Sequence, residues 1–139
     1  MNITTNKQEE LKKLFTSCAS PEARYELIIA LGKKLPPMNP AHKISENLVD
    51  GCQSKLYLHT TFQNNILHFE VDSDALISKG LAALLFHLYN NESPEFLLKN
   101  PPTILNELNI LASLSMGRAN GLKSLYVKMQ KFALQQIVH

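Results

Sequence analysis

Only two cysteines, Cys18 and Cys52, occur in the 139 residues. That is too few for a disulfide framework or for a metal cluster held by cysteine ligands. The five glycines are dispersed, which excludes a phosphate-cradling loop and a dinucleotide-binding turn. The basic residues are scattered as Lys12-Lys13, Lys33-Lys34, Lys123, Lys128 and Lys131, and the net charge is only +2. Nucleic-acid binders cluster such residues on one face, so no nucleic-acid partner is expected. The longest apolar run, Leu81 to Phe86, is far short of a bilayer span, so no membrane association is expected either. Met1 to Glu10 is polar and lacks the apolar stretch of a secretory signal. Free thiols and no signal point to the cytoplasm. The five histidines (His42, His59, His68, His87 and His139) show no paired-ligand spacing, and no metal or other cofactor is expected.

What is present suits one globular domain over residues 1–139, with 45% hydrophobic content to fill a core. Leu11, Leu14, Phe15 and Cys18 recur at i, i+3, i+4 and i+7. That spacing predicts a short amphipathic helix with Cys18 facing the core. Ser20 caps a second helix, with Pro21 at its first position and Glu22 favourable to its dipole. Tyr25, Ile28, Ile29 and Leu31 form its buried face, and Gly32 lies where it begins to end. A long connection marked by Pro36, Pro37 and Pro40 follows.

The period then changes from helical to alternating. Leu56, Leu58, Thr60 and Phe62 point one way, and Tyr57, His59, Thr61 and Gln63 the other. Asn64-Asn65 predicts a two-residue hairpin turn, because asparagine tolerates positive φ. That turn pairs Phe62 with Leu67, Thr60 with Phe69 and Leu58 with Val71 on an apolar face. Tyr57 pairs with Asp72 and His59 with Glu70 on a solvated one, where His59 and His68 are neighbours. Leu48-Val49 adds a third short strand. Asp74 or Ser73 caps a central helix over Ala75 to Tyr89, apolar nearly all round. Short helices start at Ser93 and run from Thr103 to Leu108. Ser115 caps a long last helix with Leu122, Leu125, Met129 and Phe132 as its stripe. The expected fold class is α+β: two layers, with a small antiparallel sheet of about three strands against helices.

Two features resist a purely structural reading. Gly51 before Cys52 lets the chain turn sharply and puts a thiol at a loop tip, flanked by Gln53 and Ser54. A thiolate is both a strong nucleophile and a sulfur acceptor, although free cysteine is usually a small core residue. Arg118 stands at the start of the last helix, where the dipole disfavours a cation by about 0.3–1 kcal/mol. It has a carboxylate partner, with Asp74 the expected one, or a task of its own, or else it is a solvated arginine whose cost is screened away. Asn120-Gly121 follows, and a glycine there costs about 1 kcal/mol against alanine unless a neighbour needs close approach to the backbone.

These residues also form a recognisable pattern. Arg24-Tyr25, Gly32-Lys33 and Leu35-Pro36 precede Val49-Asp50-Gly51-Cys52-Gln53-Ser54. Asp72-Ser73-Asp74-Ala75, Lys79-Gly80-Leu81, Leu114-Ser115 and Arg118-Ala119-Asn120-Gly121-Leu122 follow in order. The pattern resembles the SufE family, the sulfur acceptors of group II cysteine desulfurases, from about Leu11 through the last helix. Where that family often carries a tryptophan at the start of the first strand, this chain has Leu56-Tyr57. The resemblance implies an α+β fold shared with scaffold proteins of the IscU type. It implies that Cys52 receives sulfane sulfur as a persulfide, with Gly51, Asp74 and Arg118 supporting its loop and facing the partner. It implies a non-enzymatic co-substrate that stimulates a pyridoxal-phosphate desulfurase of the SufS or CsdA type and hands sulfur to an iron–sulfur scaffold. Monomer and homodimer both stay open. Two other readings compete: a free-standing thiol enzyme with His42 or His59 as base, and a structural module in which Cys52 only packs.

Overall fold

The structure, a computed structural model, describes residues 3–138; His139 and the first two residues of the polar N-terminal stretch lie outside them. In chain order the elements are α1 (Ile3–Thr16), α2 (Pro21–Lys33), β1 (Leu56–Gln63), β2 (Ile66–Ser73), α3 (Leu76–Tyr89), α4 (Pro94–Lys99), α5 (Ile104–Glu107) and α6 (Met116–Ile137). Short 3₁₀ turns stand at Pro40–His42, Ser45–Asn47 and Leu111–Ser113. Among the described residues no helix is long and apolar enough to cross a membrane.

The hairpin follows the alternation in the sequence. Asn64 and Asn65 take φ of 54° and 62°, as a tight turn between right-twisted strands requires. The antiparallel register pairs Phe62 with Leu67, Thr60 with Phe69, Leu58 with Val71, His59 with Glu70 and Tyr57 with Asp72, as expected. Leu56, Leu58, Leu67, Phe69 and Val71 are buried on the inner face. The fold is α+β, with one difference from expectation. Leu48-Val49 contributes only a single bridge, Leu48 to Tyr57, closed by the Val49 N–H donating to the Leu56 carbonyl at 2.8 Å. Among the described residues the sheet has two strands. Leu67 exchanges backbone hydrogen bonds with Asn91 and Glu92, so both outer edges of the hairpin are partly covered.

Helix α3 is the hub, packing against α1, α2, α6 and β2. Its crossing with α2 depends on two glycines. A Cβ on Gly80 would lie 2.1 Å from the Ile28 carbonyl oxygen, and one on Gly32 would lie 2.7 Å from the Gly80 nitrogen. Gly32 is thus a contact residue, besides lying one residue before the last residue of α2. The expected caps at Ser20, Ser93 and Ser115 are present, each accepting from the backbone N–H three residues on. The cap expected for α3 is not. Ala75 holds that position without a side-chain hydrogen bond, because β2 runs through Ser73 and Asp74 is engaged across the hairpin. Cys18 also departs from expectation. Helix α1 stops at Thr16, leaving Cys18 half-buried beyond its end with Sγ 3.7 Å from the Leu14 carbonyl, while Leu14 is exposed. Tyr25 likewise faces solvent.

The outer face of the sheet is less solvated than its polar residues imply, because the proline-rich connection folds over it. His42 stacks on His59 with centroids 3.7 Å apart, and its Nδ1 lies 3.0 Å from Glu70. His59 therefore has His42, not His68, as its ring neighbour. Asp72 binds Lys43 at 2.6 Å and Lys79 at 3.2 Å. Burial pushes the Asp72 carboxyl up, but hydrogen bonds from Lys43, the Ser73 N–H and Lys79 outweigh it and hold it below the usual carboxylate range. A carboxylate depressed on folding stabilises the fold fully above its unfolded pKa of about 4. That contribution fades as pH drops through the lower folded value. Asp72→Asn should therefore lower the melting temperature at pH 7, and the gap from the unaltered chain should close below about pH 4. A gap independent of pH in thermal unfolding would refute this role.

Candidate functional site

Residues 50–54 form a loop whose neck is the Val49–Leu56 hydrogen bond. Beyond the neck the Lys55 N–H donates to Asp74 Oδ1 at 3.1 Å. The Lys55 carbonyl accepts from Ser73 Oγ at 2.6 Å and from the Asp74 N–H at 3.2 Å. On the incoming side Lys128 Nζ reaches from α6 to the carbonyls of Glu46 and Leu48 at 3.1 and 3.0 Å. Burial pulls the Lys128 ammonium down, and the nearby charge of Asp50 opposes that shift. Gly51 turns the loop with φ of 80°, a value that L side chains rarely adopt.

The loop then lies along the first turns of α6, one loop residue per helical step. A Cβ on Gly117 would lie 2.4 Å from Gln53 Oε1, and one on Gly121 would lie 2.7 Å from Cys52 Sγ. A Cβ on Gly51 would meet Ser124 Oγ at 3.3 Å. Ser115, while capping α6, donates its hydroxyl to Gln53 Oε1 at 3.0 Å. The neighbour that explains the glycine after Asn120 is thus the thiol itself. Cys52 is half-buried, free, and packed against the edge of the core. Beside it lies a small cavity lined among others by Leu56, Ser78, Leu81, Arg118 and Leu122.

Arg118 thus lines the same cavity as Cys52, but Asp74, its expected partner, does not pair with it. That carboxylate is exposed and bonded to the Lys55 amide, and among the described residues Arg118 forms no ion pair. Its Nε is buried without a hydrogen-bond partner. His42 and His59 are held on the outer face of the sheet, and among the described residues no histidine lines the cavity at Cys52. No group of three or more His, Cys, Asp or Glu side chains among the described residues is arranged for a metal ion.

Residues 9–133 match the SufE family, described as an Fe-S metabolism associated domain. The chain belongs to the SufE family. It is 38% identical over 130 residues to SufE-like protein 1, chloroplastic/mitochondrial, of Arabidopsis thaliana. That match covers 92% of this chain and 35% of the relative, so the chain spans about a third of that protein's length. It is 34% identical over 120 residues to an uncharacterised SufE-like protein of Synechocystis, covering 86% of this chain and 76% of that one. A solution structure of a hypothetical protein from Thermus thermophilus superposes with a TM-score of 0.78 over 96% of this chain and 97% of that one. At 22% identity it supports the fold alone.

Sequence reasoning on this SufE-family chain did not anticipate Lys128, Ser124 or Ser78 at the site. Lys128 reads as one more solvated lysine. Ser78 carried a faint signal as a hydroxyl inside a mostly apolar helical run. Gly121 can be tested directly. Alanine gains about 1 kcal/mol of helix propensity, but forcing a methyl against a packed sulfur costs about 1–3 kcal/mol, so the thiol should give way. Gly121→Ala should keep native circular dichroism and speed labelling of Cys52 by a bulky maleimide roughly tenfold. An unchanged labelling rate would show that the helix does not position the sulfur.

Proposed function

We propose that this protein accepts sulfane sulfur from a cysteine desulfurase on Cys52, stimulates that enzyme, and passes the sulfur on for iron–sulfur cluster assembly. The observation that carries the reading is the thiol of a glycine-hinged loop resting on α6 at Gly121, in a chain of an Fe–S-associated family. The loop is tied at both ends and at Gln53, and Gly51 gives its backbone the conformational latitude to present the thiol once a partner docks. The step is an exchange without net oxidation. The Cys52 thiolate attacks the outer sulfur of the donor persulfide, the donor's S–S bond breaks, and the electron pair leaves on its inner sulfur. The desulfurase holds its own pyridoxal phosphate; this chain acts as co-substrate rather than enzyme. A half-buried acceptor limits wasteful oxidation. Leu76 and Met116, at the starts of α3 and α6, stand exposed and offer apolar contacts to the partner. Free Cys18 and Cys52 fit a reducing compartment, which we take to be the cytoplasm. The rival reading of a thiol hydrolase requires a base at the sulfur, and among the described residues no histidine lines the cavity beside Cys52.

Incubation with a cysteine desulfurase and L-cysteine, followed by mass spectrometry, should show one added sulfur on Cys52. Cys52→Ser should abolish both the added mass and the stimulation while leaving the fold intact. Cys18→Ser should keep both at near-native stability, because a hydroxyl can donate to the same Leu14 carbonyl. Stimulation that survives Cys52→Ser but fails in folded Cys18→Ser would reverse the assignment.

Arg118 should matter to transfer more than to folding. Arg118→Ala should slow sulfur acceptance roughly tenfold or more, the scale of a hydrogen bond to a charged group. Arg118→Lys should restore only part of it, because lysine has no N–H at the position of Nε and lacks the planar fork. Single-turnover transfer at unchanged melting temperature decides this; equal rates in the alanine variant and the unaltered chain would remove Arg118 from the step.

A further inference from the structure

Two polar atoms of residues lining the Cys52 cavity have no hydrogen-bond partner among the described residues. Ser78, in the first turn of α3, is only 3% exposed, and its Oγ has no hydrogen-bond partner. Arg118 Nε, from the first turn of α6, is in the same condition. Both residues line the cavity that Cys52 borders, and its other walls are the apolar side chains of Leu56, Leu81, Ala82, Leu122 and Leu125. A buried hydroxyl without a partner costs about 1–3 kcal/mol. A serine in this mostly apolar wall thus destabilises the unloaded protein. The cavity volume is about 10 Å³, room for one added atom.

We propose that this cavity receives the outer sulfur of the Cys52 persulfide, with Ser78 Oγ–H and Arg118 Nε–H donating hydrogen bonds to it. This rests on the acceptor reading above and adds Ser78 as the residue that retains the cargo. The persulfide carries one more sulfur than the thiol and ionises to an anion whose charge lies on that outer atom. Two otherwise idle donors and the N-terminal ends of two helices, each positive by its dipole, converge where that charge would lie. The apolar remainder of the wall keeps competing thiols and water from the S–S bond. Sulfur is released by the reverse exchange: an acceptor thiolate attacks the outer sulfur, the S–S bond breaks, and the electron pair returns to Cys52 Sγ. Presentation on the partner requires the loop to lift the outer sulfur away from Ser78 and Arg118.

The test is run on the whole chain and uses inorganic polysulfide as well as desulfurase with L-cysteine as sulfur donor. The loaded protein is freed of donor and chased with dithiothreitol, and loss of the added sulfur from Cys52 is followed by mass spectrometry. Ser78→Ala should lose sulfur roughly fivefold faster than the unaltered chain, the scale of one hydrogen bond. Its unloaded form should melt at the same or a higher temperature, since the hydroxyl removed had no partner. The near-ultraviolet absorption of its perthiolate should titrate at higher pH, because a donor to the anion is gone. A merely structural serine would not produce that combination. Arg118→Met, which removes the other donor and keeps the apolar stem, should also shed sulfur faster, and it decides the matter should Ser78→Ala not fold. Sulfur loss at the unaltered rate in the folded variants would overturn the proposal while leaving Cys52 as acceptor. Failure of the unaltered chain to form a persulfide from either donor would overturn the acceptor reading itself, and this inference with it.

Discussion

The contact between Cys52 Sγ and the bare backbone of α6 at Gly121 governs the geometry of the whole site. A helix normally surrounds itself with Cβ atoms, which would hold a packed sulfur farther away. Removing two of them, at Gly117 and Gly121, opens a shallow track along α6 into which Gln53 and Cys52 settle. The cost is about 1 kcal/mol of helix propensity per glycine. It is spread over a helix of 22 residues that is also held by a capped first turn and a buried stripe. The loop itself contributes little burial, so its position is set mainly by what surrounds it.

What surrounds it is a set of polar ties, each from a different part of the chain. Asp74 and Ser73 hold the outgoing end at Lys55, Lys128 holds the incoming end at Leu48, and Ser115 holds Gln53. These ties lie at the ends and flank of the loop, and Gly51 leaves its tip able to rotate. The same logic appears at larger scale where Gly32 and Gly80 let α2 and α3 meet backbone to backbone. That crossing sets α3 deep enough for its first turn to reach beneath the loop, which is how Ser78 comes to line the cavity at Cys52.

An acceptor thiol faces opposed demands. It must be reactive toward one persulfide and inert toward the many oxidants and thiols of a cell. Full exposure fails the second demand and full burial the first. In the proposed acceptor role, a half-buried sulfur beside a cavity of about one atom meets both if docking of the partner lifts it out. The clamp of His42, Lys43, Glu70 and Asp72 over the outer sheet face serves this indirectly, by fixing the connection that leads into the loop.

Much of the fold is legible in the chain because it rests on local rules. Alternation and an Asn-Asn turn set the hairpin and its register, and serines set three helix starts. Cys52 stood out through its glycine, and Gly121 as a residue needing close contact. The errors share one cause. The spacing of Leu11, Leu14 and Phe15 pointed Cys18 inward, but the helix ended first. Asp74 read as a helix cap and as a partner for Arg118, yet the strand ran on and an amide across the hairpin claimed its carboxylate. Leu48-Val49 had strand character but only one residue's worth of partner. Periodicity reports which side of an element is apolar; it carries no information on what arrives there from elsewhere. Gln53 and Ser115 are 62 residues apart in the chain, and no local rule links them. The sequence by itself determined most of the elements and the hairpin register and singled out Cys52 as the candidate, because backbone sterics and alternation act over a few residues. Only the tertiary structure decided that Cys52 rests on Gly121 and that Ser78 and Arg118 line one cavity, because those contacts come from helices packing at a distance their glycines allow.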